Sequence, residues 1–324
     1  MLNKEYYINT VNDIFKNLYI PDVPYTLYEP VHYTVSLSGK KLRPLLCLIS
    51  CDACCGEIEQ AIPAAISIEL FHNFTLLHDD IMDNAPIRRG MPTIFKKWGR
   101  DIAILSGDVL FAMAYKELSK SSPEIIQNLL ELFSKTAIEV CEGQQYDKDF
   151  ETQSYVSETE YLNMIRLKTS VLIAASLQMG AIAGGADIET QQKFYQLGIK
   201  TGMAFQIQDD LLDAYGDENT FGKKTGGDIL ANKKTYLFVK SYDDADDKLK
   251  NKLNLLYSDN VINNEDKINS VLEIFNVLKI KEKTNLKQHL FFEEALAIID
   301  SINIRLDAKD FIKNFIKDLI NRTV

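Results

Sequence analysis

Apolar residues recur at helical spacing along nearly the whole chain. Periods of three to four residues predict helices near 3–19, 42–55, 58–83, 100–119, 123–147, 158–183, 188–215, 233–242, 263–278, 281–302 and 306–321. All eight prolines fall at or before Pro123, and the 201 residues after it suit long uninterrupted helices. Gly184-Gly185 marks a break between two helices, and Ser157 with Glu160 has the form of a capping box. The pattern predicts an all-α fold. No Gly/Ser/Pro-rich linker and no repeat marks a boundary, so a single domain over 1–324 is expected.

Three stretches break the helical pattern and are rich in chemistry: 38–44, 87–93 and 217–233. The last carries Gly222, Gly226, Gly227, Lys223, Lys224 and Lys233, a cationic loop that reads as a lid over an anion. Two helical segments carry aspartate combs 130 residues apart, Asp79-Asp80-Ile-Met-Asp83 and Asp209-Asp210-Leu-Leu-Asp213. On a helix, residues i and i+4 stack on one face, so each motif presents its carboxylates together. Leu76, Leu77 and Ile81 flank the first comb, and Phe205, Ile207, Leu211 and Leu212 the second. Clustered carboxylates beside apolar surface are costly unless a cation neutralises them, which points to a hard metal ion. A third acidic run, Asp243-Asp244-Ala-Asp246-Asp247, lies among polar residues and reads as a solvated stretch.

The net charge of −10 argues against nucleic acid as the main partner. The first residues carry no signal pattern, and no segment is expected to supply the roughly 18 apolar residues of a membrane span, so a cytoplasmic protein is expected. Cys47, Cys51 and Cys54 follow helical spacing, and with Cys55 and Cys141 they read as buried reduced thiols rather than a zinc site.

The ordered set Ser38-Gly-Lys-Lys-Leu-Arg-Pro44, His72, Leu77-His-Asp-Asp-Ile-Met-Asp83, Arg88-Arg89-Gly90, Lys168-Thr169, Phe205-Gln-Ile-Gln-Asp-Asp-Leu-Leu-Asp213 and Gly222-Lys223 resembles the trans-isoprenyl diphosphate synthases. This is the short-chain family that makes farnesyl and geranylgeranyl diphosphates. The resemblance implies a helical bundle around a central elongation cavity, a homodimer, and magnesium-dependent head-to-tail condensation of isopentenyl diphosphate with an allylic diphosphate: dimethylallyl, geranyl or farnesyl. It also implies three magnesium ions, with Asp79 and Asp83 holding two and Asp209 a third, and with Asp80, Asp210 and Asp213 in support. Arg88, Lys168, Lys223 and Lys233 would bind the allylic diphosphate, and Lys40, Arg43, His72 and Arg89 the isopentenyl diphosphate. Gln206 and Thr169 would lie near the allylic carbon, and His78 has no ligand role. Ser38 stands where the family usually has glycine and Lys41 where arginine is common, and neither departure removes an implied ligand.

Product length is expected to depend on the helix bearing the first comb. Phe74, five residues before Asp79, lies about 7 Å down the axis at 1.5 Å per residue, and Thr75 beside it is small. This pair resembles the archaeal-type geranylgeranyl synthases, which favours a twenty-carbon product, with fifteen next. Phe111, Tyr115, and Gln144 with Asp147 are further candidates for the cavity floor. The rival readings are a class I terpene cyclase, a helical metal-dependent phosphohydrolase and a non-catalytic regulatory subunit of a prenyl synthase. The full second comb and a second set of diphosphate-binding cations argue against the cyclase, and the complete combs against the subunit; the phosphohydrolase, with His78 and Asp79 as ligands, predicts loss of metal in His78→Ala.

Overall fold

In the computed structural model, residues 3–37, 39–216, 225–258 and 263–320 are described. The chain forms α1 (Lys4–Lys16), α2 (Tyr25–Ser36), α3 (Leu42–Ala53), a 3-10 turn (Ile58–Ala61), α4 (Ile62–Met82), α5 (Ile94–Trp98), α6 (Arg100–Leu118), α7 (Ile126–Thr152) and α8 (Glu158–Ile165). A π-helical turn (Arg166–Ser170) then leads to α9 (Val171–Ala183), α10 (Ile188–Tyr215), α11 (Gly227–Leu230), α12 (Tyr236–Asp244), α13 (Asp247–Leu256), α14 (Asn264–Val277), α15 (Ile280–Ser301) and α16 (Leu306–Ile320). Among the described residues the one sheet is a two-stranded hairpin, β1 (Ile87–Arg88) against β2 (Met91–Pro92). The fold is all-α.

The contacts divide the chain into two units. The first comprises residues 1–134, 175–194 and 303–309, and the second 135–174, 195–302 and 310–324. In the first unit, α4 is apolar on nearly every side, with Ala64 to Phe71 buried without interruption. It packs against α3 and α6, whose Leu46, Leu48, Ile49, Leu110 and Leu118 are fully buried. In the second unit, Leu211, Ala214, Ile229, Leu237, Val271, Phe275 and Ile280 form a core beneath the C-terminal end of α10.

Several sequence expectations need correcting. Helix α2 was not expected, because Pro30 lies inside it, but Pro30, Val31, Thr34 and Val35 are buried and α2 packs on α6, so tertiary burial outweighs the lost hydrogen bond. The third acidic run is exposed, as expected, and also forms a helix junction: Asp244 pairs with Lys283 (2.6 Å) and Lys240 (3.2 Å), and Asp246 caps α13 through the Leu249 amide (2.8 Å). Only Cys47 and Cys51 are buried, whereas Cys54 is half-buried, Cys55 and Cys141 are exposed, and all five are free thiols. The run 158–183 is long and apolar enough to cross a membrane, contrary to expectation, yet 83% of its most apolar window is buried inside the protein, as in a core helix. The Ser157–Glu160 capping box is formed, and Gly185 ends α9 in the left-handed region at φ 73°.

Candidate active site

Both combs occupy the last turns of their helices, α4 and α10, where the helix dipole is negative. The carboxylates therefore add to an existing negative field.

In the first unit an arginine meets the comb. The hairpin turns through Arg89 (φ 52°) and Gly90 (φ 75°), both left-handed as a two-residue turn of this register requires. This brings Arg88 Nε to 2.7 Å from Asp80 Oδ1 and Arg88 Nη2 to 3.5 Å from Asp79 Oδ2. Asp80 is buried, and burial lifts its carboxyl to about 6 against the pull of Arg88.

A basic cluster forms beside this comb. Burial lowers the His72 imidazole well below its ordinary range, and the charges of Arg43, Arg89 and Arg88 lower it further, so the ring is neutral. Arg89 also lies over the backbone of Gly39, where a β-carbon would sit 2.5 Å from Nη1 of the guanidinium. Glu69 is the buried acid among these cations. Desolvation raises it to about 6, opposed by Arg43, Arg89 and Lys41, and Glu69 Oε2 and Arg43 Nε are both buried without a hydrogen-bond partner. Lys40 is exposed, and Ser38 lies outside the described residues.

In the second unit Asp210 meets neutral donors. Asp210 is buried and accepts hydrogen bonds from the Tyr161 hydroxyl, from Gln206 Nε2 (3.1 Å) and from the Tyr236 amide at the start of α12 (3.0 Å). Burial raises its carboxyl to about 7, these three bonds lower it, and the charge of Asp209 raises it again. Thr169 donates to Gln206 Oε1 (2.9 Å), so Thr169, Gln206, Asp210 and Tyr161 form one hydrogen-bonded chain. Asp213 Oδ2 accepts from the Asp228 amide at 2.9 Å. The Asp228 carboxyl is pushed well up by burial and then by Asp213, Asp210 and Asp209.

Lys168 and Thr169 sit on the π-helical turn, a distortion that re-aims side chains and recurs at functional sites. Glycines let α7 and α10 approach it: a β-carbon at Gly143 would lie 2.3 Å from the Lys168 amide nitrogen, and one at Gly202 2.5 Å from Ser170 Cα. Asp147 joins Lys168 Nζ (2.7 Å) and Lys233 Nζ (3.0 Å), and Lys233 also lies 3.5 Å from Glu151. Burial alone would raise Asp147, but the two lysines hold it below the usual carboxylate range. Asp147 is therefore an ion-pair hub rather than a floor for a hydrocarbon. Lys223 and Gly222 lie outside the described residues.

The aromatic candidates for a cavity floor in the first unit gather around Phe111. Phe74 stacks on Phe111 with centroids 4.9 Å apart and planes 11° apart, and Phe71, Tyr115 and Phe133 extend the cluster. Thr75 donates its hydroxyl to the His72 carbonyl (2.8 Å). His78 packs on Phe74 with its Nε2 3.2 Å from the Ile104 carbonyl.

Sequence reasoning missed Glu69, Tyr161 and Asp228 and misassigned Asp147. Glu69 had a readable signal, a lone acid three residues before His72 in an apolar helix, so both lie on one face. The other three depend on which helices meet, which local spacing does not carry.

Among the described residues no group of three or more Asp, Glu, His or Cys side chains converges on one metal position. The donor set nonetheless fits magnesium: Asp79, Asp83 and Asp209 are hard carboxylate oxygens at half-buried or exposed positions, which leaves the remaining coordination to phosphate and water.

The family model for Polyprenyl synthetase matches residues 24–275. A geranylgeranyl diphosphate synthase of Methanosarcina mazei is 43% identical over 222 residues, which cover 68% of each chain. A geranylfarnesyl diphosphate synthase of Aeropyrum pernix is 42% identical over 214 residues, covering 64% of this chain and 67% of that one. A crystal structure of a geranylgeranyl pyrophosphate synthase superposes with a TM-score of 0.95 at 42% identity over 100% of both chains. The chain belongs to the polyprenyl synthetase family.

Proposed function

We propose that the protein condenses isopentenyl diphosphate head-to-tail with an allylic diphosphate, in a magnesium-dependent reaction that gives geranylgeranyl diphosphate. The observation that carries this reading is the pairing, in a family member, of two aspartate combs with two separate cationic clusters. Arg43, Arg89 and His72 cluster in one unit, and Lys168 and Lys233 meet on Asp147 in the other. Two diphosphates call for two such sites, whereas a cyclase needs one.

Asp79, Asp83 and Asp209 would hold three magnesium ions, which when bound neutralise the diphosphate oxygens. Arg88, Lys168, Lys223 and Lys233 would bind the allylic diphosphate and stabilise the charge that develops as its C–O bond breaks. Thr169 and Gln206 would face the allylic cation with oxygen dipoles, and Lys40, Arg43, His72 and Arg89 would orient isopentenyl diphosphate so that its double bond attacks. A neutral His72 suits that task, because it donates a hydrogen bond without adding a proton to be lost. The proton released after bond formation goes to the departing pyrophosphate. Apolar walls exclude the water that would quench the cation.

Phe74, backed by Phe111, would end the cavity for a twenty-carbon chain. We take the whole chain to act as one cytoplasmic, homodimeric polyprenyl synthase domain. The test is mass spectrometry of products formed by the purified chain with magnesium, isopentenyl diphosphate and each primer in turn. A twenty-carbon diphosphate supports the reading; fifteen or twenty-five carbons move the floor. No condensation with any primer overturns the reading in favour of a cyclase or a regulatory subunit. Phe74→Ala is expected to lengthen the product by about one isoprene unit, because removing a ring deepens an apolar cavity.

A further inference from the structure

The segment 226–234 delivers Asp228 to the second comb and Lys233 to Asp147, and its backbone shows how the two are linked. Helix α11 has a single turn that closes as a Schellman motif: the Lys233 amide donates to the Asp228 carbonyl (2.9 Å) and the Asn232 amide to the Ile229 carbonyl (3.2 Å). Asn232 takes the left-handed position at φ 56°, where glycine is usual and asparagine is the best-tolerated alternative.

The asparagine side chain has a specific partner. Its Oδ1 accepts a hydrogen bond from Lys267 Nζ at 2.5 Å. Lys267, on α14, is only 5% exposed, and its ammonium lies 5.5 Å from the centroid of the Tyr257 ring. A lysine in a helix ordinarily extends its ammonium to water, so a buried one that reaches a turn residue is a costly feature needing a reason. The next residue, Ile268, packs under the entrance of the same segment: a β-carbon at Gly226 would lie 2.8 Å from Ile268 Cδ1. Helix α14 thus grips the segment at both ends, through Ile268 at Gly226 and through Lys267 at Asn232. Tyr257, beside Lys267, has a buried hydroxyl without a hydrogen-bond partner.

We propose that Lys267 is a positioning residue for the allylic diphosphate, fixing the Asn232 turn so that the adjoining Lys233 is aimed at its ligand. This rests on the reading of Lys233 as a diphosphate-binding residue. Lys267 itself touches neither substrate.

The experiment is steady-state kinetics of the full chain with magnesium, varying the allylic primer and isopentenyl diphosphate separately, for Lys267→Met, Lys267→Arg, Asn232→Gly, Lys233→Met and the Lys267→Met/Asn232→Gly double variant. Lys267→Met is expected to raise KM for the primer about tenfold and to leave KM for isopentenyl diphosphate within about twofold. Lys267→Arg should recover most of the loss. Asn232→Gly keeps the left-handed turn but removes the tether, so it should show the same split, and the double variant should be no worse than the more affected single variant. Equal changes in both KM values, or losses that multiply in the double variant, would overturn the proposal. If Lys267→Met shows no cooperative melting transition, Asn232→Gly decides alone, and an unchanged primer KM overturns it. An unaffected Lys233→Met sinks the underlying reading of Lys233, whereas an impaired Lys233→Met beside a normal Lys267→Met sinks only this inference.

Discussion

The two aspartate combs share one sequence pattern and the same place at a helix C-terminus, yet their buried middle carboxylates, Asp80 and Asp210, meet different partners. Arg88 brings a full positive charge to Asp80 and Asp79 in the first unit. In the second, Asp210 accepts from a phenol, an amide side chain and the backbone amide of Tyr236, and Asp213 accepts from the backbone amide of Asp228. The nearby cations reverse this balance. Two lysines outweigh burial at Asp147 and keep it ionised, whereas burial outweighs three cations at Glu69. A five-residue motif therefore specifies where carboxylates gather but not how their charge is balanced, because that depends on which chain segment arrives opposite.

The largest expected effect tests whether the combs are equivalent in catalysis. Asp79→Ala and Asp209→Ala should each lower kcat by about 10³-fold, the scale of losing one preorganised electrostatic contact in the transition state. Retention of turnover within about tenfold in either variant would show that its comb is not needed for ionisation, and the symmetry between them would fail.

Removing the neutralising partner should separate the combs by stability. Arg88→Met leaves Asp80 buried without its cation and is expected to cost about 3 kcal/mol, while Tyr161→Phe removes one of three donors to Asp210 and should cost about 1 kcal/mol. Urea denaturation of both variants measures the gap. Equal losses would mean that the arginine and the phenol do the same electrostatic task.

Titration distinguishes the cationic clusters. Glu69 has a raised folded-state value near 6, so the folded state binds its proton more tightly than the unfolded state does. Its contribution is thus fully present below about 4.5 and is lost as pH rises through about 6, an effect on the order of 2 kcal/mol. Asp147 is depressed, so its contribution is present above the ordinary carboxylate range and is lost as pH falls. Glu69→Gln should flatten the fall in melting temperature between about pH 4.5 and 6 that the native chain shows. An unchanged pH profile would place the charge imbalance elsewhere.

Much of this was legible in the sequence. The long helices, the capping box at Ser157 and the break at Gly185 follow from periodicity and local capping, both encoded within a few residues. The grouping of Arg43, His72 and Arg89 follows the resemblance, and the structure places them in each other's field. Helix α2 escaped notice because Pro30 is a local signal against a helix that only burial against α6 overrides. Asp147 escaped because spacing on its own helix shows a face but not the lysines that come to meet it.

The sequence by itself determined the all-α class, the two carboxylate combs and the stock of cations, since these depend on residue type and on intervals of three to four positions. Tertiary structure alone decided which cation or dipole answers each carboxylate, that Asp147 joins two lysines, and that a buried Lys267 holds the Asn232 turn. The physical reason is range: helical periodicity is written in neighbouring residues, whereas desolvation and ion pairing depend on groups that only folding brings within a few ångströms.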